Sequence, residues 1–116
     1  EYLNDDKLFN NKVDLNGNNA TFPHIIDTYE NGTSGYIIWS NGYCEQWGRT
    51  TDTVTFVKTF ANADICIVGG LIPGDPTKTY EHLNIANITA NGFSFTRYDS
   101  YTLMWKASGY LASDQY

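Results

Sequence analysis

The sequence predicts a small all-β protein, an antiparallel β-sandwich made of short strands. Runs rich in Tyr, Phe, Trp, Val, Ile and Thr recur along its 116 residues, and these residue types favour strands. Turn pairs containing Gly or Asn separate the runs at regular intervals, as they do in sandwiches. No stretch keeps the 3.6-residue period of an amphipathic helix. The length is that of a single domain.

An aromatic β-hairpin over Gly35–Gly48 is the clearest predicted element. Two apolar, β-rich runs flank Asn41-Gly42, and an Asn-Gly pair in this position is the strongest short-range hairpin signal. A two-residue loop would place Trp39 opposite Cys44 and Ile37 opposite Gln46 on the more core-like face. Aromatic residues occupy both faces, so we expect the hairpin to be covered on both sides, by a second sheet or by another chain.

The other elements follow the same residue patterns. Residues 1–21 are rich in Asn and Asp without a sustained period and are interpreted as a linker or lead-in, with the sandwich domain over 22–116. Turns are predicted at Asn31-Gly32, Asn91-Gly92 and Asp99-Ser100, and a loop at Gly70–Lys78. The remaining predicted strands are His24–Tyr29, Thr53–Thr59, Asp64–Gly69, Leu83–Ile88, Phe93–Tyr98 and Thr102–Gly109.

The charge balance argues against several classes of partner. The chain has 7 basic and 13 acidic residues, a formal net charge of -6. Binding to nucleic acid or to an anionic membrane surface needs clustered Lys and Arg, whereas the basic residues here are scattered. No run of about 18 apolar residues is present, so membrane insertion is not expected.

Catalytic and metal-binding patterns are weak. The two histidines, His24 and His82, lie in no recognisable nucleophile–base motif, and the spacing of the acidic residues favours no glycosidase pair. Asp75 and Glu81 lie near His82, but a surface loop explains this grouping better than a metal site. We therefore expect no enzyme activity, catalytic residue, metal or cofactor.

The two cysteines, Cys44 and Cys66, lack zinc-type or redox-type spacing. Each lies in an apolar run, which favours two buried thiols that act as small hydrophobic residues. A disulfide between them remains open from the sequence alone.

An aromatic and amide-rich surface remains as the candidate binding site. Tyr and Trp rings stack on the C–H faces of sugars, and amide and carboxylate groups bind sugar hydroxyls. The candidate ligand-binding residues are Tyr80, His82, Tyr98, Asp99 and Tyr101.

Three motifs in order resemble the C-terminal domain of phage tail-fibre proteins, over about residues 24–110. The first is the aromatic hairpin that ends in Gln46-Trp47-Gly48. The second is the Thr-Val-Thr-Phe run within Thr53–Phe60. The third is the final strand-like run, with Trp105, Ala107, Gly109 and Tyr110.

The second half also resembles the H-type lectins, in Asn87-Ile88-Thr89, Gly92-Phe93 and the Trp105–Gly109 close. That family forms trimers of six-stranded antiparallel sandwiches that bind sugar near subunit junctions. Two of its features differ here: Tyr80 stands where the lectins have an arginine, and a short Tyr98–Tyr101 turn replaces their Trp-containing loop. The lectins' specificity for N-acetylgalactosamine is therefore not implied.

Together the resemblances imply a homotrimeric fibre tip, located in the virion, that binds a bacterial surface polysaccharide or another host receptor. One face of the hairpin would then join the sandwich core, and the other would pack toward neighbouring subunits. Two alternatives stay open: a structural trimerisation cap without receptor contact, and a polysaccharide depolymerase.

Overall fold

Two antiparallel sheets make up the part of the chain that the computed structural model describes, residues 22–72, 83–97 and 101–116. The predicted antiparallel β-sandwich is confirmed. In chain order, the strands are β1 (Ile25–Asn31), β2 (Ser34–Trp39), β3 (Tyr43–Thr50), β4 (Val54–Thr55), β5 (Cys66–Ile72), β6 (Leu83–Thr89), β7 (Gly92–Arg97) and β8 (Thr102–Tyr110), and a 3-10 turn follows at Ser113–Gln115. None of the described segments is a helix long and apolar enough to cross a membrane.

The larger sheet has five strands in the order β1-β2-β3-β8-β5, and the smaller has three in the order β4-β7-β6. β3 and β8 lie at the centre of the larger sheet and pair over their whole shared length, from Tyr43↔Tyr110 to Thr50↔Leu103. Alternate residues of each strand point to opposite faces. We call the face that packs on the smaller sheet the inner face, and the opposite one the outer face.

The core lies between the two inner faces and is rich in aromatic rings. Phe56 packs edge-on against Phe60, with 5.0 Å between ring centroids, and also contacts Phe93 and Trp105. Such offset and edge-to-face pairs add to the free energy gained from burial. The buried apolar residues are Ile38, Cys44, Val54, Phe56, Phe60, Leu71, Phe93, Tyr101, Leu103, Ala107 and Leu111.

The predicted hairpin is present, but its predicted register is wrong by one residue. Ile38 pairs with Cys44, and Tyr36 with Gln46. The loop therefore has three residues, closed by the Gly42 N–H that donates to the Trp39 carbonyl at 2.9 Å. Gly42 adopts a φ of 88°, as expected for a turn that ends in a left-handed glycine.

This shift exchanges the faces, because side chains alternate with a period of two. Trp39 and Ile37 lie on the outer face with Tyr43 and Trp47. Ile38, Cys44 and Gln46 lie on the inner face and are buried. The expectation that Trp39 and Ile37 share the core-like face with Cys44 and Gln46 is therefore wrong.

The predicted strand Thr53–Thr59 is largely wrong, since only Val54 and Thr55 pair as a strand, with Phe93 and Gly92. Beyond them, the side chain of Gln46 binds the Lys58 backbone twice: its Nε2 donates to the carbonyl at 2.7 Å, and its Oε1 accepts from the N–H at 3.1 Å. The buried side-chain amide of Gln46 thus makes the hydrogen bonds to Lys58 that a partner strand would otherwise make.

Most other boundaries agree with the sequence predictions. The turn predicted at Asn31-Gly32 lies one residue later: Asn31 pairs with Ser34 around a two-residue loop of Gly32 and Thr33, with Gly32 at a φ of 61°. The predicted loop at Gly70–Lys78 begins later, because Gly70–Ile72 belong to β5, and its remainder lies outside the described residues. The predicted linker at 1–21 and the predicted turn at Asp99-Ser100 also lie outside the described residues.

Candidate functional site

Four of the residues that carry the sequence resemblance meet on the inner face. Gln46 pairs with Ala107, and Gly48 pairs with Trp105. A side chain at Gly48 would lie 3.1 Å from the Trp105 ring, so the glycine leaves room for the indole. Gln46 is 2% exposed and Ala107 is fully buried. Gln46 and Ala107 therefore belong to the core, whereas the Trp105 ring is only partly buried.

Only one of the five predicted ligand-binding residues lies in the described part of the chain. Tyr101 is 6% exposed and belongs to the hydrophobic core, so its ring does not face solvent. Tyr80, His82, Tyr98 and Asp99 lie outside the described residues.

These four residues belong to two stretches of the chain. The two sheets fix the positions of the described residues on either side of those stretches. Ile72 pairs with Thr102 in the larger sheet, and Leu83 pairs with Arg97 in the smaller one. Leu83 also reaches across to the larger sheet, where a Cβ on Gly69 would lie 3.8 Å from its side chain. The described ends of both stretches therefore lie at one end of the sandwich.

The outer face of the larger sheet carries a row of aromatic side chains. The sequence analysis predicted aromatic residues on both faces of the hairpin, but it placed Trp39 on the opposite face. Trp39, Tyr43 and Tyr110 occupy three adjacent strands. Their ring centroids are 5.4 Å apart for Trp39 and Tyr43, and 5.7 Å apart for Tyr43 and Tyr110. Tyr110 is 59% exposed. We call these three residues the aromatic row.

An ion pair lies next to the aromatic row on the outer face. Lys106 Nζ lies 2.9 Å from Glu45 Oε1, and the Tyr43 hydroxyl donates to Glu45 Oε2 at 3.4 Å. Both charged groups therefore have partners, and the pair adds little net charge to the face.

The far end of β3 borders a cleft of about 240 Å³. Its walls include the indoles of Trp47 and Trp105, and its polar lining includes Arg49, Thr53 and Thr55. Trp47 of this cleft and Tyr43 of the aromatic row are four residues apart along β3, a separation of about 14 Å at the rise per residue of a strand. The sequence analysis did not predict this cleft. The pattern that could have indicated it is a glycine opposite a tryptophan on neighbouring strands, which occurs twice: Gly35 opposite Trp47, and Gly48 opposite Trp105.

The two cysteines differ in environment, and neither forms a disulfide. Cys44 is buried, as predicted, and burial raises the pKa of its thiol to about 12. Cys66 is exposed, so the prediction of burial is wrong for this residue. Cys66 pairs with Ser108, whereas Cys44 pairs with Gly109, so the two thiols lie on opposite faces of the sheet.

Among the described residues, no group of three or more His, Cys, Asp or Glu side chains is arranged to hold a metal ion. Comparison with known proteins gives no match to a family model, a curated protein or a solved structure. The function is therefore inferred from the residues and geometry of this chain.

Proposed function

We propose that this chain is the receptor-binding tip domain of a phage tail fibre, and that it binds a bacterial cell-surface glycan as a homotrimer. The observation that carries the proposal is the outer face of the five-stranded sheet, which presents aromatic side chains while the smaller sheet packs on the other face. The ordered sequence motifs that resemble tail-fibre domains support the same function.

The aromatic row supports the trimeric part of the proposal. An antiparallel sheet with one face on the core commonly has a polar outer face, whereas this one carries Trp39, Tyr43 and the largely exposed Tyr110. Tyr and Trp are enriched at protein interfaces. The row therefore has the composition of a surface that packs against a neighbouring subunit.

The glycan-binding part depends on aromatic and hydrogen-bonding side chains near the two stretches that follow β5 and β7. Tyr80, His82, Tyr98 and Asp99 remain the proposed ligand-binding residues. Tyr101 is better assigned to holding the start of β8 in the core, because it is buried.

A second candidate function is a structural trimerisation cap that does not contact a receptor. The aromatic row favours this candidate equally, since it accounts for assembly without any ligand. The two functions differ only in whether the domain itself adheres to cells.

Adsorption of the purified domain to a panel of bacterial cells and to a glycan array tests the proposal. We expect binding to at least one strain and to its extracted glycans, and we expect the double substitution Tyr80→Ser/Tyr98→Ser to reduce it while the trimer persists. Unchanged adsorption by an intact trimeric variant would exclude these two residues from the site. Absence of wild-type binding to every cell and glycan would favour the cap.

A further inference from the structure

The cleft beside β3 lies at an interruption in the pairing of the larger sheet. β2 pairs with β3 only as far as Gly35↔Trp47, whereas β8 follows β3 on to Thr50. Among the described residues, no strand continues along the β2 side of Gly48–Thr50. The segment that holds Thr53 and Thr55 forms the other side of the opening.

Two glycines give the cleft its aromatic walls. A Cβ on Gly35 would lie 2.6 Å from the Trp47 ring, and one on Gly48 would lie 3.1 Å from the Trp105 ring. The missing side chains allow both indoles to lie close to the backbone. Trp105 is held from the core side by Phe56 and Phe93, so this wall of the cleft is fixed before any ligand binds.

The polar lining is open for binding. Arg49 is exposed and, like the hydroxyls of Thr53 and Thr55, has no hydrogen-bond or ion-pair partner among the described residues. The neighbouring Asp52 is engaged locally, since its Oδ1 accepts from the Thr53 N–H at 2.7 Å. Unsatisfied donors beside indole rings are a common composition of small-molecule sites.

The charge of the cleft is opposite to that of the chain. The net charge is -6, yet Arg49 is the only charged residue among the described residues that line the cleft. A guanidinium binds a carboxylate through two parallel hydrogen bonds. The volume of about 240 Å³ lies slightly below the usual range for ligand pockets, which suits a single sugar ring.

We propose that this cleft binds one carboxylate-bearing sugar residue of the receptor glycan, with Arg49 on the carboxylate, an indole on the sugar face, and Thr53 and Thr55 on the hydroxyls. This inference rests on the proposed glycan-binding function and adds the chemical class of the glycan. It uses residues separate from Tyr80, His82, Tyr98 and Asp99.

Titration of the full domain with trigalacturonate, followed by backbone and indole NMR shifts, tests the inference. We expect shifts at Trp47, Arg49, Thr53 and Thr55, and a loss of affinity of about tenfold or more in Arg49→Gln, the size of one charge-assisted contact. Lys106→Gln removes the same charge from a residue that does not line the cleft and whose amine is paired with Glu45, and it should bind as the wild type does. Fully methyl-esterified trigalacturonate should cause no shifts in the cleft.

Shifts elsewhere in the domain, equal binding of the ester, or wild-type affinity in Arg49→Gln would overturn the inference. These outcomes are separable from failure of the proposed function. Adsorption to cells without cleft shifts would overturn only the acidic-sugar site. Cleft shifts that depend on Arg49, in a domain that adsorbs to no cell, would support the site and contradict the tip-domain function.

Discussion

The two faces of β3 carry different kinds of residue. On the inner face, Cys44, Gln46 and Gly48 are buried against β8, the smaller sheet and the 56–60 segment. On the outer face, Tyr43 and Trp47 alternate with charged side chains and remain partly or largely exposed. The residues that define the family resemblance lie mostly on the inner face, so the resemblance reports the fold. Ligand specificity is expected instead from accessible residues, such as Arg49 of the cleft at the end of β3.

The largest effect is expected from Gln46→Leu, on the inner face. The substitution leaves the partly buried N–H and carbonyl of Lys58 without the bonds that Gln46 makes, and each hydrogen-bonding group left unsatisfied away from water costs about 1–3 kcal/mol. We expect the free energy of unfolding in urea to fall by about 2–4 kcal/mol. A loss below about 0.5 kcal/mol would show that the 56–60 segment does not depend on this amide.

A smaller effect is expected from Gly48→Val. The added side chain would meet the Trp105 ring at 3.1 Å, and Phe56 and Phe93 prevent the ring from moving away. Overpacking of this kind costs about 1–3 kcal/mol, measured by the same denaturation. The matched outer-face substitution Arg49→Ala should change stability by less than about 0.5 kcal/mol; equal losses in the two variants would remove the contrast between the faces.

Thiol labelling compares the faces without a substitution. A thiol-specific reagent should modify Cys66 in the native protein and leave Cys44 unmodified until the protein unfolds, because the reactive species is the thiolate. Burial raises the pKa of Cys44 from 9.0 to about 12, so its contribution to stability is complete below pH 9 and is lost as the pH rises toward 12. Rapid native labelling at both positions would contradict the burial of Cys44.

The smallest effect is expected from Glu45→Gln, on the outer face. The Lys106 side chain is 49% exposed and that of Glu45 is 24% exposed, and ion pairs of this kind contribute about 0.2–1 kcal/mol. We expect a loss within that range at low salt that shrinks as salt is added, read from thermal unfolding at two ionic strengths. A loss that salt leaves unchanged would point to the Tyr43 hydrogen bond instead.

The sequence predicted the sandwich and most strands because period-two patterns and Asn-Gly turns are local signals. It could not predict the hairpin register, because Asn41-Gly42 fits a two-residue or a three-residue loop and the choice depends on the bond from Gly42 to Trp39. The bond between Gln46 and Lys58 spans 12 residues and has no local signature. The cleft was missed for the same reason, since it forms where β2 stops pairing.

Sedimentation equilibrium tests most directly whether the outer face of the larger sheet is an interaction surface. We expect the wild type to be a trimer and Tyr110→Arg to be a monomer with an unchanged β-type circular dichroism spectrum, because the charge would lie in the aromatic row. Val57→Arg, at an exposed apolar residue outside the row, should remain a trimer. A monomeric wild type, or a trimeric Tyr110→Arg variant, would contradict this assignment.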